Sequence, residues 1–148
     1  MPENIKELRN KAERYCSQAE RCRQEVEQKL AAWGAEDADR ETVVAYLYDN
    51  GWLDDRRYCR AFVHDKVSFA RWGRQKIRYA LRAKGLPDRE IECALAEIDQ
   101  TEYINNLQRL IASRPTADSA EEKIRLFRFL LQRGYTWNEI SETTTGLQ

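Results

Sequence analysis

The sequence predicts an all-α chain built as tandem three-helix repeats, about nine helices in an elongated, curved array. Three observations predict it. Leu-x-x-x-Gly occurs at Leu30 to Gly34, Leu81 to Gly85 and Leu130 to Gly134, and each leucine has another aliphatic residue four positions earlier, Val26, Ile77 and Leu126. The glycines lie 51 and 49 residues apart, a regular period of the kind that marks repeat architectures. Strand signals are absent. One compact helical bundle is the competing arrangement, and the near-coincident punctuation favours the repeat.

The units are expected at residues 1–50, 51–98 and 99–148. The first opens with a shortened helix around Ile5 to Cys16, ending before Ser17, and its middle helix is expected to start at a capping box, Ser17-Gln-Ala-Glu20. Val26 and Leu30 then form a one-turn aliphatic stripe, and Gly34 in a left-handed conformation ends the helix. A third helix begins near Asp39. In the second unit Tyr58 and Phe62 mark the first helix, Ile77 and Leu81 the second, and Pro87-Asp88 the start of the third. In the third unit Leu107 and Ile111 stand 27 and 23 residues before Gly134, the distances that separate Tyr58 and Phe62 from Gly85. Ser119-Ala-Glu-Glu122 caps its middle helix, which carries Leu126 and Leu130, and Thr136 opens the last. No unit of this size buries its apolar face alone, so neighbours must stack.

Composition narrows the function. The chain has 148 residues, 42% hydrophobic and 34% charged, with three prolines and six glycines, which excludes a disordered or collagen-like chain. No apolar run approaches the roughly 18 residues of a membrane span, and Met1 to Asn10 do not read as an export leader, so a cytoplasmic chain is expected. Cys16, Cys22, Cys59 and Cys93 fit no metal-ligand spacing and His64 is the sole histidine. They are expected to be reduced, half-buried helix residues. No glycine-rich phosphate loop is present, and one histidine leaves little material for nucleophilic catalysis. Neither enzymatic activity nor a cofactor or metal is expected.

The net charge of zero hides a segregation of charge. Residues 1–55 hold 8 Lys/Arg and 13 Asp/Glu, residues 56–84 hold 10 and 1, and residues 85–148 hold 7 and 11, giving −5, +9 and −4. A run of +9 calls for an anionic partner or a structural reason. Arg71-Trp72-Gly73-Arg74-Gln75-Lys76 places cations at the start of a helix, where the macrodipole disfavours them. Arg74, Arg78 and Arg82 fall on one stripe, about 60° from the Ile77 and Leu81 stripe at 100° per residue. That arrangement predicts a wet cationic edge beside a packed aliphatic one. Arg57 and Arg60, with Arg56, add charge from the preceding helix, and Lys66 and Lys84 are weaker candidates. Trp72 fits a half-buried core position, or else a contact that stacks on a nucleobase or inserts at a protein interface. Gly85-Leu86-Pro87 resembles the turn of a helix-turn-helix reader, but the helix after it carries Asp88, Glu90, Glu92 and Glu97 against Arg89 alone. Net negative charge is unsuited to the major groove.

Residues Asp54-Asp55-Arg56-Arg57-Tyr58-Cys59-Arg60-Ala61-Phe62, continued by Arg71-Trp72-Gly73-Arg74-Gln75-Lys76-Ile77 and Leu81-Arg82-Ala83-Lys84-Gly85-Leu86-Pro87, resemble the middle region of RecX, the bacterial regulator of the RecA recombinase. The resemblance is specific over about residues 52–95 and extends by repeat order along the chain. It implies tandem three-helix repeats and a non-catalytic protein that binds the RecA nucleoprotein filament. Such a protein lies in the filament groove, inhibits ATP hydrolysis, strand exchange and coprotease activity, and so modulates recombination and the SOS response. Single- and double-stranded DNA are further partners it implies, and the chain is expected to act as a monomer. On this reading Arg57, Arg60, Arg71, Trp72, Arg74, Lys76, Arg78, Arg82 and Lys84 face the filament or its DNA. The alternative from another class is a helical protein that binds nucleic acid without sequence preference and without RecA.

Overall fold

The computed structural model describes residues 4–146, and the outer limits expected for the first and third units, residues 1 and 148, lie outside them. Among the described residues the chain forms nine helices and no strand. They are α1 (Ile5–Gln18), α2 (Arg23–Ala32), α3 (Asp37–Asp49), α4 (Asp55–Ser68), α5 (Arg74–Ala83), α6 (Asp88–Ala96), α7 (Gln100–Ala112), α8 (Ala120–Gln132) and α9 (Trp137–Gly146). Each successive trio shares a core: Leu8, Val26, Leu30 and Leu47 in the first, Tyr58, Ile77, Leu81 and Ile91 in the second, Tyr103, Leu107, Leu130 and Ile140 in the third.

The middle helices α2, α5 and α8 end in the same way. Gly34, Gly85 and Gly134 have φ of 86°, 82° and 103°, values a side chain rarely adopts. Their amides donate to the carbonyls of Ala31, Arg82 and Leu131, and the next amides, of Ala35, Leu86 and Tyr135, reach back to Leu30, Leu81 and Leu130 at 3.0, 3.2 and 3.2 Å. This is the Schellman closure, with an apolar residue after the glycine covering the last turn. Ala35, Leu86 and Tyr135 are all buried. The sequence period is thus a repeated hydrogen-bond motif.

Helix starts correct one expectation. Ser17 and Glu20 do not open the middle helix of the first unit. The first helix runs on to Gln18, giving it the same 14 residues as α4, and the Ser17 hydroxyl donates to the Arg14 carbonyl at 2.7 Å. The helix α2 starts instead after Cys22, whose amide donates to the Glu25 carboxylate at 2.9 Å. The other two caps hold: Ser119 accepts from the Glu122 amide at 3.1 Å, while Thr136 and Glu139 bond each other's amides at 2.8 and 3.2 Å.

The start of α5 has no side-chain cap of its own, because the next unit supplies it. The Gly73 amide donates to the Arg133 carbonyl at 2.8 Å and the Gln75 amide to the Gly134 carbonyl at 3.1 Å. Between them, the Arg74 amide donates to the Tyr103 hydroxyl at 2.9 Å. Three donors that a helix start leaves open are therefore satisfied by α7 and by the closing turn of α8. A Cβ on Gly73 would fall on the Gly134 carbonyl, and one on Gly134 would lie 2.5 Å from the Lys76 Cβ. Only two glycines permit the approach. Arg71, with φ of 55°, turns the chain into this junction, and its carbonyl accepts from the Tyr135 hydroxyl at 2.9 Å. Asn106 adds a buried bond of 2.8 Å to the Val67 carbonyl, and the Arg133 guanidinium donates to the Ala70 carbonyl.

The first and second units meet mainly through side chains. Gln24, at the start of α2, donates to the Ala83 carbonyl at 3.4 Å, and Lys84 lies 3.7 Å from Glu25. Cys22 is buried in the second core, and the Tyr48 hydroxyl donates to Asp55 at 2.7 Å. Thus the closing turn of α8 meets the start of α5, and the closing turn of α5 meets the start of α2. The helices follow one another head to tail, with partial charges of opposite sign at each junction.

Leu81 is fully buried, and Leu81→Ala is expected to cost about 2–5 kcal/mol of unfolding free energy in a urea titration. An unchanged midpoint would contradict its place in the core. Gly73→Ala is expected to lower the midpoint and to make the chain around residues 112–119 and 133–136 cleavable in limited proteolysis, since the third unit must shift to admit the methyl group. Unaltered stability and cleavage would show that the glycine pair is not a required contact.

Candidate functional site

The helix α5 turns Ile77 and Leu81 into the core, so its cations lie on the remaining arc. The cationic edge expected here is present, but its arginines are paired with acids. Arg78 donates from Nε and Nη2 to the two Glu92 oxygens at 2.7 and 3.0 Å. Arg82 pairs with Asp88 at 2.9 Å. Arg74 spans Gln100 at 3.0 Å and Glu139 at 3.5 Å, and its guanidinium lies 4.1 Å from the centre of the Tyr103 ring. From α4, Arg60 reaches Glu97 at 2.9 Å and Arg57 reaches Glu20 at 2.5 Å. Lys84 faces Glu25. Six of the nine candidates are thus matched to acids, and every one of those acids comes from outside the basic run.

The pair of Arg78 and Glu92 is the best formed. Its forked geometry is the strong kind of charge-assisted bond. The hydrogen bond from Arg78 holds the Glu92 carboxyl below the usual carboxylate range, and the bond to Glu92 tightens the hold of Arg78 on its proton. Its sign follows: the contribution to stability is present above the ordinary glutamate pKa of about 4.3 and is lost as pH falls through the depressed value.

What stays unmatched is smaller. Among the described residues Lys66, Arg71 and Lys76 face no acid, and two of them converge on Trp72. The ammonium of Lys66 lies 4.6 Å and that of Lys76 4.4 Å from the indole centre, within cation–π range. Trp72 is half-buried against the second core, and it meets Phe62 edge-on with centroids 6.4 Å apart. Phe62 stacks in turn on Tyr58 at 6.2 Å. The two readings of Trp72 combine: it is a core residue on one side and a platform that gathers two cations on the other. Spacing carried a signal for this, since Phe62 and Lys66, like Trp72 and Lys76, stand four residues apart.

A concave surface lies between α4 and the α6–α7 corner, a groove of about 710 Å³. Arg56, Arg57, Arg60 and His64 line one wall, and Glu97, Asp99 and Glu102 the other. It carries both signs of charge, and Arg60 and Glu97 bridge it. Arg56 is exposed and faces no acid among the described residues.

Nothing in this surface assembles a reactive group. Burial pushes the Cys16 thiol up to about 11 and the Cys59 thiol up to about 12, so both are protonated at neutral pH. Cys22 is buried and Cys93 exposed. His64 lies on the surface of α4, with Nδ1 3.8 Å from Asp65. No group of three or more His, Cys, Asp or Glu among the described residues is placed to hold a metal ion, and none of the described helices is long and apolar enough to cross a membrane. The arrangement can bind an anion through Lys66, Arg71 and Lys76 and can rest an aromatic ring or a protein side chain beside Trp72.

Comparison with known proteins bears on the chain as a whole. Two family profiles match: "RecX, first three-helix domain" over residues 9–47 and "RecX, second three-helix domain" over residues 54–95. A curated protein of Pectobacterium atrosepticum, "Regulatory protein RecX", is 33% identical over 144 residues, covering 95% of this chain and 86% of its own. One of the same name from Herbaspirillum seropedicae is 31% identical, covering 96% and 92%. Among solved structures, RecX from Lactobacillus salivarius superposes with a TM-score of 0.85 at 24% identity, over 97% of this chain and 96% of that one.

Stability separates the two classes of cation. Arg78→Glu, which sets two carboxylates against each other, is expected to lower the urea midpoint. Lys76→Gln loses one cation–π contact and should change stability by no more than about 1 kcal/mol. Equal losses for both substitutions would show that Lys76 is as structural as Arg78.

Proposed function

The chain belongs to the RecX family of regulatory proteins, and from that premise we propose that it is a non-catalytic cytoplasmic regulator that binds the RecA nucleoprotein filament. There it inhibits ATP hydrolysis, strand exchange and coprotease activity and so modulates recombination and the SOS response. The observation that carries the reading is the family match along nearly the whole chain. The row of three units supports it physically. An elongated array with three separate cores can follow a groove across more than one protomer and recognise a surface that free RecA lacks. Inhibition then needs no chemistry, only a higher affinity for a filament conformation that does not turn over ATP.

Within the proposed contact surface, Lys66, Arg71, Trp72 and Lys76 make the primary anionic contact. Arg57, Arg60, Arg74, Arg78, Arg82 and Lys84 are already paired, so each must exchange an internal acid for an external one before it can contribute. That exchange returns little free energy at the exposed pairs and costs more at the partly buried ones of Arg74, Arg78 and Lys84. The division of the chain into regulatory units at residues 1–50, 51–98 and 99–148 belongs to the same proposal. The same cation and tryptophan cluster also favours the second reading, a protein that binds single-stranded nucleic acid unaided.

The test is the steady-state ATPase of RecA preassembled on single-stranded DNA, with this protein titrated in and the titration repeated in a large excess of free DNA. Inhibition of preformed filaments at concentrations well below those that coat the DNA is expected, and the excess should not abolish it. Inhibition that tracks only the occupied free DNA would favour the second reading. Lys66→Glu combined with Lys76→Glu is expected to weaken filament binding at least about tenfold, the equivalent of ~1.4 kcal/mol, while the helical content stays the same.

A further inference from the structure

The seam between α8 and α9 differs from its counterparts in the other two units. Aligned on the closing glycines, Ile124, Phe127, Leu131 and Trp137 correspond to Gln75, Arg78, Arg82 and Asp88 of the second unit, and to Gln24, Glu27, Ala31 and Asp37 of the first. In the second unit this seam is held by ion pairs, Arg78 with Glu92 and Arg82 with Asp88. In the third, the position of the Arg82 and Asp88 pair is taken by Leu131 and Trp137. The fold therefore does not require apolar residues here. Leu126 and Leu130 already supply the inward stripe of α8.

These side chains are not spent on the core. Ile124 is 56%, Leu131 43% and Trp137 60% exposed, while Phe127 is half-buried with its ring centre 4.5 Å from that of Trp137. Together they line an open groove of about 400 Å³ whose only charged lining residues are Lys123 and Arg128. Neither cation has an acidic partner among the described residues. Of the acids on the same helix, Glu121 is near Arg125 at 4.0 Å and Glu122 is held in the cap with Ser119. Contiguous apolar surface rimmed by polar groups marks an interaction site.

We propose that this seam is a docking groove for an amphipathic helix of a partner protein, one whose apolar side chains enter between α8 and α9 and whose rim carries carboxylates that pair with Lys123 and Arg128. The charge selects the occupant. A second copy meeting the same face by two-fold symmetry would bring two pairs of unmatched cations together. The concavity admits inserted side chains, the helix-in-groove mode of recognition, which a flat bilayer surface does not offer. The inference stands independently of RecA, because it rests on the third unit and on none of the residues of the Trp72 cluster.

The experiment uses the full chain and two synthetic helical peptides of ~18 residues, about five turns. Both carry leucine and phenylalanine at i, i+3, i+4 and i+7; one is rimmed with glutamate, the other with lysine. Binding is read by fluorescence anisotropy of the labelled peptide. The glutamate-rimmed peptide is expected to bind at least about tenfold more tightly than its twin, and Ile124→Gln with Leu131→Gln should remove that binding while leaving thermal unfolding close to the parent. Lys123→Glu with Arg128→Glu should invert the preference, a result that a merely structural role for these residues would not produce. The proposal is overturned if neither peptide binds or if the preference survives the charge swap. It is equally overturned if the Gln variants abolish instead binding to vesicles of mixed zwitterionic and anionic lipid, or self-association in sedimentation.

Discussion

The carbonyls that close α8 are the acceptors that open α5, and the rest of the molecule is arranged around that meeting. A helix start leaves donors open and a helix end leaves acceptors open, and each must find a partner when buried. Joining the two ends satisfies the Gly73 and Gln75 amides with no side chain between them, and the Tyr103 hydroxyl takes the Arg74 amide. The approach requires Gly73 against Gly134. It also sets the path of Arg71 and so brings Trp72 to the edge of the second core. The junction between α5 and α2 repeats the order of the helices with side-chain contacts in place of backbone ones.

This junction alters the meaning of the cations at the start of α5. In isolation Arg74 and Lys76 would sit against the positive end of a helix dipole. Here that end abuts the negative end of α8, and Arg74 finds Glu139, Gln100 and the Tyr103 ring around it. The nine excess positive charges of the middle segment are therefore partly a structural device that ties the second unit to acidic neighbours on both sides. Trp72 keeps what remains available, holding Lys66 and Lys76 near one ring without neutralising them.

Local features were legible in the sequence and relational ones were not. The closing turns of α2, α5 and α8 are encoded within six residues each, so Leu30, Leu81 and Leu130 could be placed in the core from spacing alone. Ser17 and Glu20 failed because a serine hydroxyl can bond the last carbonyls of a helix as well as cap a start, and Cys22 with Glu25 lay five residues further on. The pairing of Arg57 with Glu20 and of Arg60 with Glu97 spans 37 residues in either direction. A count of charge within the segment is blind to contacts of that range. The role of Gly73 before α5 was not legible, since nothing near it in sequence announces that its partner is Gly134.

Hydrogen exchange at the amides of Gly73, Arg74 and Gln75 tests the central claim most directly. A helix start that caps itself or faces water frays, and its first amides exchange quickly. If the third unit caps α5, these three amides should be protected to the same degree as the core amides of α8, and should lose that protection together with them when Gly134→Ala forces the units apart. Rapid exchange in the parent protein, with the α8 core still protected, would contradict the account.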